Sequence, residues 1–546
     1  MIETLSAHPY RVAPRGPVVC VVMDGVGIGD GGVGDAVASA RTPTLDRLRG
    51  LPSYRELQAH GRGVGMPSDA DMGNSEVGHN ALGAGRIFDQ GAKLVAESIA
   101  SGELFAGATW QGAIAFVRSS GQSLHFLGLL SDGNVHSHID HLLAMLRRAA
   151  SEGVATIRVH ALLDGRDVPA RSALGYLDTL EGVLAELRGH GCDAQVASGG
   201  GRMRITMDRY QAEWAMVARG WDVHVHGIGR TFPSARAAVE TMYAELGVDD
   251  QNLDGFVIDQ GQGPVGPIRD GAAVILFNFR GDRALEISRA FEQAELTAFA
   301  RGPKPDVFFA GMMQYDGDEQ VPARFLVAPP TIDRTMGELL AVAGRRQLAV
   351  SETQKFGHVT YFWNGNRTGK FDEVLERYLE VPSDVAPFEQ RPWMQAAEIT
   401  DALVAAITGE HFDFVRVNYA NGDMVGHTGV IESTRLAVEA VDLCLGRVLE
   451  AVERLGGVLV VTADHGNADQ MLDVQKDGSM RVRTSHSLNP VPFAIFDPRE
   501  PGGGPRMRVD PPGARANLGY VAATCLELLG LAAPADYLPS LLAPRS

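Results

Sequence analysis

The sequence predicts an α/β protein of more than one domain, on three observations. Short apolar runs such as VVCVVM (18–23) and VLVV (458–461) show no alternation, the pattern of strands buried on both faces of a parallel sheet. Helix-period stretches such as 141–150 and 174–188 lie between such runs, and strand–helix alternation marks βαβ units. At 546 residues, the chain is also too long for one compact core.

Composition narrows the classes of function. With 45% hydrophobic and 21% charged residues the chain is an ordinary soluble globular one. A net charge of −18 argues against nucleic acid or an anionic membrane as partner, yet local arginines can still hold a small anion. Cys20, Cys192, Cys444 and Cys525 have no paired spacing, so buried thiols in a reducing compartment are expected rather than disulfides or a zinc ribbon. Residues 1–16 lack the apolar core of a signal peptide, and no run approaches the ~20 apolar residues of a membrane span. A cytoplasmic protein is expected.

The first strand, 18–23, stops at Asp24, and the G-V-G-I-G-D after it lacks the spacing of a dinucleotide fingerprint. Thr42 as N-cap and Pro43 as first helical residue open a short helix. Residues 67–79 (PSDADMGNSEVGH) read as a polar loop holding Ser75, with no G-x-S-x-G elbow of an α/β-hydrolase around it. A second α/β region starts near Phe88, with strands at 124–130, 157–163, 193–197 and 273–279. Their carboxyl ends carry His136, Arg166, Asp167, Arg202, Arg209, Arg280 and Arg283. Several arginines at successive strand ends make an anion clamp, because guanidinium binds phosphate and carboxylate through forked hydrogen bonds.

Further on, 331–340 reads as a helix and 347–351 as a strand leading to Lys355, among residues that look buried. The strand 414–418 ends in Y-A-N-G-D-M-V-G-H-T-G, where Asp423 and His427 are one helical turn apart. The run from 458 ends in T-A-D-H-G. An Asp464–His465 pair at the carboxyl end of a buried strand lies where open α/β sheets bind ligands, and carboxylate with imidazole suits a divalent metal. His486 precedes the final strand.

These residues form two groups. Asp24, Ser75, Asp423, His427, Asp464, His465 and His486, from the outer parts of the chain, suit two divalent metals and one hydroxyl. The middle supplies the arginines, a histidine and an aspartate, which suit a small polyanion. Together they suggest phosphoryl transfer through a phosphoserine.

The motifs D-G-V-G, M-G-N-S-E-V-G-H, L-L-S-D-G-N-V-H-S-H, D-G-R-D, N-F-R-G-D-R, S-E-T-Q-K-F-G-H-V-T, N-G-D-M-V-G-H-T-G and T-A-D-H-G-N occur in this order between about residues 18 and 497. In this the chain resembles the cofactor-independent phosphoglycerate mutases of the alkaline phosphatase superfamily. G-G-G-R-M-R-I-T-M-D-R-Y, N-G-N-R and V-P-S-D resemble the plant and trypanosomatid branch. The resemblance implies an isomerase of glycolysis that interconverts 3- and 2-phosphoglycerate through a phosphoserine on Ser75, without 2,3-bisphosphoglycerate. It implies one metal on Asp423, His427 and His486 and another on Asp24, Ser75, Asp464 and His465, with manganese expected and magnesium, cobalt or zinc as alternatives. His136, Arg166, Asp167, Arg202, Arg209, Arg280, Arg283 and Lys355 would bind substrate. Asp167 would be the acid/base, kept ionised by Arg166.

The fold implied is an alkaline-phosphatase-like α/β domain (1–88 and 328–546) carrying metals and nucleophile, interrupted by an inserted α/β domain (89–327) carrying most of the clamp. Residues 64–67 and 322–330 would help form hinges. A monomer acting on phosphoglycerate, with no nucleic-acid or membrane partner, is expected. The alternative is a metal-dependent phosphatase or another phosphosugar mutase of the same superfamily, from which D-G-R-D and N-F-R-G-D-R together set this chain apart.

Overall fold

A computed structural model describes residues 4–66, 69–89, 91–209, 213–315, 320–328, 332–474, 479–509 and 515–544. Of the expected hinge residues, Pro67, Pro329 and Pro330 lie outside these. The chain divides into two compact units, Met1–Gln90 with Thr331–Ser546, and Gly91–Pro330. No helix among the described residues is long and apolar enough to cross a membrane.

The discontinuous unit is built on a seven-stranded sheet in the order Glu376–Val381, Gln347–Glu352, Phe414–Tyr419, Val18–Met23, Val458–Thr462, Val491–Phe496, Arg55–Leu57. The first five strands are mutually parallel, and the last two run antiparallel to their neighbours. The three central strands are buried along their whole length; Val18–Met23 and Val458–Thr462 accordingly read as apolar runs, while Phe414–Tyr419 carries Arg416 and Asn418, each with a hydrogen-bond partner in the core. Their register pairs Val22 with both Asn418 and Thr462, so the polar residues following these strands emerge at one level. The 25-residue helix Ile431–Leu455 packs an apolar stripe containing Val441, Leu445 and Val448 into this core.

The Gly91–Pro330 unit has its own seven-stranded sheet, ordered Arg230–Phe232, Phe256–Ile258, Asp193–Gly201, Thr156–Leu163, Leu124–Leu129, Ala273–Leu276, Phe308–Gly311. All neighbours are parallel except Asp193–Gly201 with Phe256–Ile258. From Leu124–Leu129 the chain winds outward one way through Thr156–Leu163, then returns on the other side at Ala273–Leu276. That reversal leaves a crevice at the strands' carboxyl ends.

The fold class is the one the sequence predicts, with local corrections. Ser75 is not in a loop: it is the first residue of the helix Ser75–Ala84, whose N-cap Asn74 accepts the Val77 amide hydrogen at 3.1 Å. Strand 193–197 continues to Gly201, because the S-G-G-G run serves close backbone approach rather than a turn. A Cβ on Gly201 would stand 2.3 Å from the Gln251 carbonyl oxygen. Strand 273–279 ends at Leu276, and the Asn278 side chain then accepts the Leu129 amide hydrogen at 2.9 Å. The helix expected at 331–340 runs over Met336–Val342, and Thr42 takes the N-cap position without a side-chain capping bond.

Candidate metal and anion sites

In the discontinuous unit, four adjacent parallel strands each deliver a charged group just beyond the carboxyl end. Asp24 follows Val18–Met23, Asp423 lies in the helix Asn421–Gly426 after Phe414–Tyr419, Asp464 and His465 follow Val458–Thr462, and Lys355 lies in the helical turn after Gln347–Glu352. Ser75 Oγ is at their centre. It donates to Asp24 Oδ1 at 3.3 Å, lies 3.0 Å from His465 Nε2 and accepts from Lys355 Nζ at 2.5 Å. The same ammonium reaches Asp24 Oδ1 at 2.8 Å and Asp423 Oδ2 at 2.7 Å. All of these side chains are buried.

Two groups of side chains could each hold a cation: Asp24 with Asp464 and His465, and Asp423 with His465 and His486. His427 joins the second through Nε2, 2.9 Å from Asp423 Oδ1. The ring orientations favour a metal. His427 Nδ1 is 2.6 Å from the Thr484 carbonyl and His486 Nδ1 is 2.8 Å from the Gly73 carbonyl, so each donates there when neutral. The two Nε2 atoms then turn lone pairs toward each other at 3.0 Å and toward Asp423. Such a set is balanced by a cation, and a backbone carbonyl on the far nitrogen is the usual support of a metal-binding histidine. Burial disfavours charge on His465, but Asp464, Asp24 and Asp423 override it and push its pKa up to about 9. Burial also opposes ionisation of Asp423, yet Lys355 and His427 hold its carboxyl well below the usual range. A divalent cation at the same atoms would replace those protons.

Three groups missed in the sequence support this set. Asn418 Nδ2 donates to Asp24 Oδ2 at 2.8 Å and Asn467 Nδ2 to Asp423 Oδ1 at 3.2 Å. His79 Nδ1 lies 2.8 Å from the Ser75 carbonyl and 3.3 Å from Asp464 Oδ2. His79 follows Ser75 by four residues, the same one-turn spacing that drew attention to Asp423 and His427.

The helix bearing Ser75 and His79 lies against the Asp464 backbone because Gly78 has no side chain. A Cβ there would meet the Asp464 carbonyl oxygen at 2.6 Å and Asp464 Cβ at 2.8 Å. Gly78→Ala is therefore expected to displace the helix from Asp464. Overpacking should cost about 1–3 kcal/mol, and the misplaced hydroxyl should lower kcat/KM at least ~10-fold. Melting and steady-state kinetics on the variant check both.

In the Gly91–Pro330 unit the second set also assembles, at the crevice. Arg202, fully buried, donates from Nη1 to Asp164 Oδ1 at 2.8 Å, pairs with Asp167, and reaches His136 Nε2 from Nη2 at 2.5 Å. Asp282 gathers Arg280 Nε at 3.0 Å, Arg209 Nε at 3.3 Å and His136 Nδ1 at 3.6 Å. Arg283 Nη1 donates to the Met207 carbonyl at 2.8 Å. Arg166, at the same strand end, adds a fifth buried guanidinium. Asp164 and Asp282 were missed, although D-G-R-D and N-F-R-G-D-R contain them. Ser131 Oγ and the Arg166 and Asp167 amides donate to Asp164, which fixes the loop. Asp167 pairs with Arg202, a partner the sequence did not suggest.

Five buried guanidiniums thus stand among four buried carboxylates, those of Asp164, Asp167, Asp208 and Asp282. Burial, followed by Arg209, Arg202 and Arg166, presses the Arg283 pKa well below its ordinary value. Burial and the surrounding arginines press His136 the same way, so its ring is neutral. Excess buried positive charge of this kind is relieved by a bound anion.

The Metalloenzyme superfamily profile matches residues 16–533. A Leptospira interrogans protein named "Probable 2,3-bisphosphoglycerate-independent phosphoglycerate mutase" is 52% identical, over 97% of this chain and 98% of its own length. The chain belongs to this mutase family. Another relative, the 2,3-bisphosphoglycerate-independent phosphoglycerate mutase of Trypanosoma brucei brucei, is 50% identical over 99% of this chain and 100% of its own. Among solved structures, Leishmania mexicana phosphoglycerate mutase, crystallised at low cobalt concentration, superposes with a TM-score of 0.95 at 48% identity, covering 100% of both chains. Trypanosomatid members of the mutase family are thus among the matches, as the arginine-loop motif suggested. The family is enzymatic, and its superfamily agrees with the divalent-metal chemistry of the donor set.

Proposed function

We propose that the protein interconverts 3-phosphoglycerate and 2-phosphoglycerate through a phosphoserine on Ser75, without 2,3-bisphosphoglycerate. The observation that carries this is a single buried hydroxyl, Ser75 Oγ, at the N-terminus of a ten-residue helix and within 3.3 Å of a carboxylate, an imidazole and an ammonium. A helix N-terminus and a buried ammonium both favour the dianionic phosphoryl group that Ser75 would carry. The names of the relatives support the same substrate pair.

In this reading Asp423, His427 and His486 would hold one divalent ion and Asp24, Ser75, Asp464 and His465 the other, manganese being the expected metal. Bound there, the ions would supply Lewis-acid charge to the phosphoryl oxygens and lower the pKa of the Ser75 hydroxyl. His136, Arg166, Arg202, Arg209, Arg280 and Arg283 bind the glycerate and its charges, and Lys355 steadies the phosphoryl group at Ser75. The domain roles follow: the discontinuous unit carries the nucleophile, and the inserted unit retains the glycerate.

Ser75 Oγ attacks phosphorus, the bond to the 3-oxygen breaks, and one proton passes from Ser75 to that oxygen. In the second half the 2-hydroxyl attacks the phosphoserine, the bond to Oγ breaks, and its proton returns to Ser75. Asp167 relays the proton at the glycerate end. Retention of glycerate between the halves is what separates a mutase from a phosphatase, and it gives the arginine cluster its purpose.

Purified protein should interconvert the two phosphoglycerates with no added bisphosphoglycerate, lose at least ~100-fold of that turnover on chelation, and recover it with manganese. Release of inorganic phosphate without isomerisation would place the chain on the phosphatase side instead.

A further inference from the structure

Three histidines that the proposed reaction does not use lie in the core of the Gly91–Pro330 unit. His125 is on the Leu124–Leu129 strand, His160 on Thr156–Leu163, and His224 in the π-helical turn Asp222–His226, all fully buried. They belong to one string of hydrogen bonds. Ser123 Oγ is 2.7 Å from His125 Nε2, and His125 Nδ1 is 2.9 Å from His160 Nε2. His160 Nδ1 is 2.7 Å from Ser198 Oγ, which is 2.8 Å from His224 Nδ1, and His224 Nε2 is 2.9 Å from Thr206 Oγ1. A register irregularity between Val159 and His160 brings His160 opposite Ser198.

Burial keeps the three rings neutral, with His125 and His224 pressed down to about 3. A neutral imidazole has one N–H, so it accepts on one nitrogen when it donates on the other. Each tautomer is therefore dictated by the next group along, and the links strengthen one another.

The string ends on the segment G-R-M-R-I-T-M-D-R, between Arg202 and Arg209. Thr206 there has φ +69°, a left-handed backbone that costs a β-branched residue energy and persists only where neighbours hold it. Its amide donates to the Met216 carbonyl at 2.9 Å and its hydroxyl meets His224. The adjacent Met207 carbonyl is the one that receives Arg283. We propose that Ser123, His125, His160, Ser198, His224 and Thr206 form a positioning relay that fixes the backbone from Arg202 to Arg209, and with it the geometry of the anion cluster. The proposal rests on the reading of that cluster as the substrate clamp.

The test compares Thr206→Val, which keeps the shape and removes the hydroxyl, with Thr206→Ser, which keeps the hydroxyl. Amide exchange over residues 202–209 should quicken at least tenfold in Thr206→Val, and the His224 and His160 imidazole nitrogen resonances should shift. KM for 3-phosphoglycerate should rise at least fivefold with kcat within twofold, and Thr206→Ser should restore all three. Ser198→Ala, cutting the relay at its midpoint, should quicken the same exchange and serves if Thr206→Val does not fold. Loop exchange unchanged from the parent protein in the folded variant overturns the relay. Exchange and ring resonances need no turnover, so they judge the relay even if the parent protein fails to interconvert phosphoglycerates, a failure that would fall on the proposed function.

Discussion

Ser75→Ala is expected to lower phosphoglycerate interconversion by at least ~10⁴-fold, the scale on which loss of a nucleophile acts in other enzymes. The change removes one oxygen and little else. Asn74 still caps the helix through the Val77 amide, His79 still meets the carbonyl of residue 75, and Lys355 keeps Asp24 and Asp423. Melting temperature should therefore stay within a few degrees of the parent protein, and the donors on Asp423, His427 and His486 should still load metal. Two measurements decide the matter: turnover under metal-replete conditions, and incorporation of labelled phosphate into protein from phosphoglycerate. Turnover within tenfold of the parent protein would sink the phosphoserine route, since Ser75 Oγ is the hydroxyl that meets Asp24, His465 and Lys355.

Much of this site was legible because a parallel sheet writes its active edge plainly. A strand buried on both faces is mostly apolar until it leaves the sheet, because a polar residue within it, such as Arg416 or His160, needs a buried hydrogen-bond partner. Asp24, Asp464 and His465 therefore stand out at the first break in an apolar run. The same logic found the arginines of the inserted unit. It failed where glycine serves packing instead of turning. M-G-N-S-E-V-G-H, within 67–79, read as part of a loop, yet Gly78 is helical and lets that helix touch Asp464. It also failed for short edge strands such as Arg55–Leu57 and Arg230–Phe232, whose few residues leave no periodicity to read. Asp164 and Asp282 were passed over for a different reason. A sequence shows that charges cluster but not which carboxylate each guanidinium meets, and three-dimensional pairing alone revealed Arg202 between Asp164 and Asp167.

Lys355→Met should reveal what balances the carboxylates when metal is removed. The Lys355 ammonium is 1% exposed and joins Asp24 and Asp423, one carboxylate from each of the two candidate metal groups. Methionine keeps most of the volume and deletes the charge, leaving Asp24, Asp423 and Asp464 buried among imidazoles, with His465 within 3.9 Å of all three and His427 2.9 Å from Asp423. Breaking a buried pair by removing one partner costs about 3–5 kcal/mol, because the stranded charge stays desolvated. In chelator, the variant should melt on the order of 10 °C below the parent protein. Saturating divalent metal should recover much of that gap, since binding to the folded state alone stabilises by mass action. Turnover in metal should remain down by about 10²-fold or more, because the charge meeting the phosphoryl group at Ser75 is gone. A variant that melts like the parent in chelator would show that protons, not Lys355, balance the carboxylates. His465 would then be the first group to examine, as its pKa is already pushed up to about 9 by the same three aspartates.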